Sequence, residues 1–181
     1  MRLTLLALAV VTLTASTGAV AQAPAAPDGS TNRAAIDRLA FMVGRWKGEA
    51  WMQRGPQRVQ TVMTETVESR LDGTVLLVEG QGAIPGEAGA PPRTVHHALA
   101  IISFDPQSGA YAMRSHIGTG QSGEFALTLI DGGVSWSRAV PGGQVRNTAR
   151  FANNEWHEIG EFSRDGQAWT QIMEIRLRKE P

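Results

Sequence analysis

His157 and Glu161 stand four residues apart in the segment Trp156-His157-Glu158-Ile159-Gly160-Glu161. If that segment is a strand, the imidazole and the carboxylate share one face of a sheet, because side chains alternate with a period of two. A histidine beside one or two carboxylates can hold zinc or iron, or take a proton as a general base. His97, Glu65 and Glu174 lie on other strand-like segments and are the groups that could meet His157 and Glu161 in a common cavity. The structural alternative is that His157 hydrogen-bonds to a neighbouring side chain of the sheet. His96 and His97 are adjacent, so on a strand they point to opposite faces and cannot share one interior metal. Glu65 and Glu68 are three apart and likewise face opposite ways, so they are not a carboxylate pair.

Other patterns carry less chemistry. Gly118-Thr119-Gly120-Gln121-Ser122-Gly123 satisfies G-x-G-x-x-G in letters. Dinucleotide binding needs that loop to open a helix, whereas Glu124-Phe125-Ala126-Leu127-Thr128-Leu129-Ile130 alternates as a strand does, so a hairpin turn is expected. Ser122 lacks the frame of a nucleophile elbow. The chain has five tryptophans against one tyrosine. Trp51, Trp136, Trp156 and Trp169 suit core packing, and Trp136 also suits the wall of a site for an apolar or planar molecule.

The elements that position these residues are strands. Segments near 45–53, 57–70, 74–82, 94–104, 110–117, 123–130, 133–139, 144–152, 155–163 and 168–178 have strand character. Between them lie turn sequences such as Leu71-Asp72-Gly73, Asp131-Gly132-Gly133, Pro141-Gly142-Gly143 and Asn153-Asn154, whose glycines and asparagines accept the positive φ of tight hairpins. Most links are too short for parallel crossovers, so the sheet is expected to be antiparallel and meandering. The stretch 83–93 is the one long connection and the candidate for a lid or portal loop. About ten consecutive strands call for closure, since an open sheet would leave two unpaired edges. The expected fold is therefore all-β: an up-and-down antiparallel barrel of about ten strands, wide enough for a small ligand. A short helix capped by Ser30 or Thr31, with Ile36, Leu39, Ala40 and Val43 on one stripe and Gly44 ending it, is expected to plug or flank one end.

Composition narrows the setting. The chain has 181 residues, no cysteine, and 17 basic against 17 acidic side chains. One domain is expected, with no disulfide and no thiolate chemistry. No basic surplus exists to track phosphates, so nucleic acid is not an expected partner. Met1-Arg2, the apolar run Leu3–Leu13 and Ala19-Val20-Ala21 have the layout of a secretory signal over residues 1–21. Residues 22–30 then form a flexible linker and residues 31–181 the barrel domain. Cleavage after Ala21 would leave a periplasmic or secreted protein without stable membrane insertion. Oligomeric state is left open.

Phe41-Met42-Val43-Gly44-Arg45-Trp46-Lys47-Gly48 resembles the G-x-W opening of calycins, the lipocalin and fatty-acid-binding superfamily. From about Leu39 to Arg178 the chain resembles a bacterial family of uncharacterised calycin-like barrels. The matching blocks are Arg70–Gly80, Ser103-Phe104-Asp105-Pro106, Trp156–Glu161 and Met173–Arg178. The resemblance implies that Trp46 closes the barrel base beneath a cation from Arg176 or Arg178. The T-D-Y block of true lipocalins is missing. Nitrobindin-type haem barrels share the opening and take a proximal histidine just before the last strand, where this chain has Thr170-Gln171-Ile172-Met173. Haem would therefore have to be held through His157 or His97.

Three functions are compatible with these residues. The favoured one is an exported barrel that binds a small hydrophobic or amphipathic molecule, with His97, Trp136, His157, Glu161, Glu65 and Glu174 as candidate contacts. The second is an enzyme using a cavity His/Glu cluster for acid–base or metal chemistry. The third is an envelope interaction or stress protein with a filled barrel.

Overall fold

A computed structural model describes residues 28–87 and 90–181 of the chain. The signal and most of the linker expected at the N-terminus lie outside the described residues. A short helix, α1 (Ser30–Asp37), and a 3-10 turn (Ala40–Met42) lead into ten strands. These are β1 (Gly44–Arg54), β2 (Gln57–Arg70), β3 (Val75–Ile84), β4 (Arg93–Asp105), β5 (Ala110–Ile117), β6 (Ser122–Ile130), β7 (Gly133–Val140), β8 (Gly143–Ala152), β9 (Glu155–Ser163) and β10 (Thr170–Lys179). Each pairs antiparallel with its sequence neighbour, and β1 pairs with β10, which closes the barrel. The up-and-down barrel expected from the turn chemistry is the fold observed. The Asn153-Asn154 turn shows why the chain reverses where it does, with φ of 52° and 60°. Both residues lie in the left-handed region that a two-residue hairpin of this hand requires.

The two ends of the barrel differ. At one end gather the turns after β2, β4, β6 and β8, together with α1 and the 3-10 turn. Ile36 and Leu39 are buried there, and Tyr111 Oη donates to the Ala35 carbonyl at 2.8 Å. The helix stops at Asp37 instead of reaching Gly44, and the 3-10 turn covers the remaining distance. Beneath it Trp46 packs edge-on against Phe151 (5.6 Å between centroids) and Trp156 (5.9 Å). Phe41 stacks on Phe151 from above at 5.1 Å. The Trp46 indole N–H donates to the Met42 carbonyl at 2.9 Å, which ties the 3-10 turn to the barrel floor.

The cation over Trp46 is the Lys179 ammonium, 5.2 Å from the ring centroid. Neither Arg176 nor Arg178 takes that place. Their positions in β10 alternate with Ile175 and Leu177, which point inward, so both arginines lie outside the barrel and pair with Glu155 at 3.7 Å and 3.1 Å.

The other end, with the turns after β1, β3, β5, β7 and β9, carries no helix among the described residues. None of the described helices is long and apolar enough to cross a membrane.

Candidate functional site

Inside the barrel lies a chamber of about 600 Å³ that extends from the Trp156 ring and Met42 towards the helix-free end. Its wall is mostly apolar, with Met63, Ile102, Met113, Phe125, Leu127 and Trp136 among the contributors. The space exists because small residues stand at inward positions. Ala98 and Ala100 on β4 and Gly80 on β3 leave room that larger side chains would fill.

Four titratable side chains line this chamber: Glu65 on β2, His96 on β4, Arg138 on β7 and Glu158 on β9. Glu65 and Glu158 are buried, 9% and 6% exposed, and Asn147 on β8, 9% exposed, also lines the chamber. Gly80 faces Glu65 across the β2–β3 pair, and a Cβ there would sit 2.5 Å from Glu65 Oε1. The absent side chain therefore makes the space the carboxyl occupies. Glu158 Oε2 accepts a hydrogen bond from the Trp156 indole at 3.3 Å. Among the described residues no basic side chain is within salt-bridge distance of either carboxyl.

Such an environment penalises charge. Burial, reinforced by the negative charge of Glu158, pushes Glu65 up to about 8. Burial pushes Glu158 up to about 7, against the opposing pull of the Trp156 hydrogen bond. His96 is pushed down, first by burial and then by the neighbouring His97 charge, and so stays neutral near pH 7.

The raised carboxyl values have a consequence for stability. In the unfolded chain these groups ionise near 4.5, the value for a free glutamate. Between that pH and the folded-state values of about 7 and 8, the native protein binds more protons than the unfolded chain. Stability therefore falls as pH rises across that window and levels off above it. The wild type is expected to lose an amount of the order of a few kcal/mol from these groups between pH 5 and about 8. Glu65→Gln is expected to remove much of that slope. Urea denaturation at unit pH intervals checks both, and a wild-type slope that Glu65→Gln leaves unchanged would sink the assignment.

The histidines and acids expected to share the cavity divide between the two faces. Glu65 and Trp136 line the chamber. His97, His157, Glu161 and Glu174 do not. On β9 the inward residues are Trp156, Glu158 and Gly160, so His157 and Glu161 share a face, but it is the outer one. His157 Nε2 is 2.8 Å from Glu174 Oε1, which also takes a hydrogen bond from Arg176 at 2.7 Å. Glu174 Oε2 accepts from the Trp51 indole at 3.0 Å, and these donors hold its carboxyl below the usual glutamate range. Glu161 accepts from Arg146 at 2.7 Å. His97 lies 3.1 Å from Glu79.

Two β-bulges also shift the alternation of faces within strands. One skips Val95 in the β3–β4 pairing and the other skips Ile172 in the β9–β10 pairing. The second places Gln171 opposite Glu161 on the outer face. The two histidines considered for haem thus point away from the chamber and are engaged by carboxylates, so they do not fit that group.

His96, Arg138, Asn147 and Glu158 were missed by the sequence reasoning. Glu158 carried a usable signal, since it shares parity with Trp156, an evident core residue. Among the described residues no three metal-ligating side chains converge.

The family described as "Protein of unknown function (DUF1579)" matches residues 32–179. No curated protein matches the chain significantly. Among solved structures, the crystal structure of Rv2717c from M. tuberculosis is similar at a TM-score of 0.58 with 10% identity, covering 81% of this chain and 98% of that one. At that identity the likeness concerns the fold alone.

Proposed function

We propose, for a chain that belongs to the DUF1579 family of proteins of unknown function, that it is an exported, calycin-like barrel that binds a small apolar or amphipathic molecule in its interior. The observation that carries this reading is the chamber of about 600 Å³, closed by the helix and aromatic cluster at one end. Small-molecule sites have volumes of about 300–1,000 Å³, largely apolar walls and a few polar groups that fix orientation. This chamber has all three. A ligand entering it would exchange water for the methionine, leucine and aromatic wall, and would meet Glu65, Glu158 and Asn147 as its polar contacts. A filled barrel acting through its surface does not account for so much interior space. The enzymatic alternative loses His157 and Glu161, which are committed to partners on the outer face.

Native mass spectrometry of protein purified without denaturation tests the proposal. A retained mass of a few hundred daltons, released on unfolding, is the expected result. An apo mass, together with no saturable uptake of the neutral dye Nile red, would overturn it.

A further inference from the structure

The polar wall of the chamber has a sign. Five acids on the outer wall, Glu79, Glu124, Glu155, Glu161 and Glu174, have an arginine or histidine partner. Glu65 and Glu158, the two acids that line the interior, have none within salt-bridge distance among the described residues. Glu65 is 9% exposed, lines the chamber, and among the described residues its carboxyl accepts no hydrogen bond from a side chain. Asn147, equally buried, also lines the chamber and among the described residues makes no side-chain hydrogen bond. Buried carboxylates are normally paired, because the protein otherwise bears the cost of their desolvation.

We propose that Glu65 and Glu158 form a subsite for the cationic head of the ligand, and that the ligand is an amphipathic amine whose apolar part fills the chamber. The inference rests on the small-molecule reading above. A primary ammonium offers three donors, enough for both carboxylates. The Trp156 indole N–H, which donates to Glu158 Oε2, holds that carboxyl in place.

The charged and titratable surroundings are few. On the chamber side, β4 contributes His96 and β7 contributes Arg138, both towards the helix-free end, and among the described residues the other strands contribute no charged group besides the two acids. At the floor Lys179 lies over Trp46. Glu65 and Trp46 also border a second, smaller groove, where Arg45, Glu79 and Glu180 are the other charged groups. Arg45 pairs with Glu180, and among the described residues no basic side chain is within salt-bridge distance of Glu65 or Glu158.

A cation binds the ionised pair, so binding expels the protons that burial keeps on the acids. Affinity for an amine is expected to rise with pH through 7 to 8, where the free acids titrate. The test is isothermal titration with decylamine, decanol and decanoate, which share one chain and differ in head charge. At pH 8 decylammonium is expected to bind at least tenfold tighter than decanol, with decanoate weakest. Its heat should depend on the ionisation enthalpy of the buffer in the direction of proton release. In the Glu65→Gln/Glu158→Gln double variant, the preference for the amine over decanol should disappear, and amine binding should no longer release protons. If that variant does not fold, proton release by the wild type still decides the matter. Equal binding of amine and alcohol, or tightest binding of decanoate, would overturn the cationic subsite and leave the small-molecule reading standing. Failure of all three to bind, with no Nile red uptake, would overturn both.

Discussion

Trp46→Ala is expected to lower the stability of the barrel by about 3–5 kcal/mol, the usual cost of removing a fully buried large aromatic. For a domain of this size that corresponds to a fall in Tm of roughly 10 °C or more. The residue is 2% exposed and belongs to a cluster rather than a single contact. Phe151 and Trp156 lie against its ring, and Phe151 and Trp156 meet each other at a tilt with 4.7 Å between centroids. Truncation therefore opens a cavity under rings that cannot all collapse into it. It also removes the N–H that satisfies the Met42 carbonyl and so loosens the 3-10 turn that caps the barrel. Trp46→Phe, which keeps a ring but loses that N–H, should fall between the wild type and alanine. Trp136→Ala is the informative contrast. Trp136 is only half-buried and borders the chamber, so part of its contact surface is already absent and its loss should cost less. Equal costs for the two alanine variants in urea denaturation would contradict a floor held by the aromatic cluster.

The strands were legible because turn chemistry is local. Asn153-Asn154 and the glycine turns mark the chain reversals, and pairing follows once reversals are known. Facing was less legible because a hollow barrel weakens the rule that the largest apolar residues point inward. On β4 the inward residues are Ala98 and Ala100, while Leu99 and Ile101 are 40% and 44% exposed on the outside. A reading by hydrophobicity assigns that strand backwards and carries His97 inward with Leu99. The bulges at Val95 and Ile172 then shift parity within two strands, and a bulge leaves little trace in a single sequence. Glu65 was readable for the opposite reason. It shares parity with Met63 and Val67, which are buried, whereas Thr64, Thr66 and Glu68 take the other face. An acid in step with core residues is a stronger sign of a site than a histidine–acid pair in step with each other. His157 and Glu161 form a regular pair because they build the ion-pair network of the outer wall.

Ala98→Trp should abolish saturable uptake of Nile red, with affinity falling at least tenfold, while Leu99→Trp leaves it unchanged. The two positions are adjacent on β4 and receive the same side chain, so they differ only in the face they present. At position 98 the indole enters the chamber opposite Gly80 and occupies volume a ligand needs. The added ring has open space to enter, so the usual penalty of overpacking a dense core is reduced and the barrel should still fold. At position 99 the indole stands on the outer face among exposed side chains, and neither the chamber nor the register changes. Circular dichroism and thermal melts on both variants separate lost binding from lost structure. If both retain uptake, the dye binds elsewhere and the interior is not the site. If both lose it while remaining folded, the outer face of β4 takes part in binding, and the exposed Leu99 and Ile101 become the residues to vary next. Only the split result, loss at 98 and retention at 99, ties binding to the space that the small inward residues leave open.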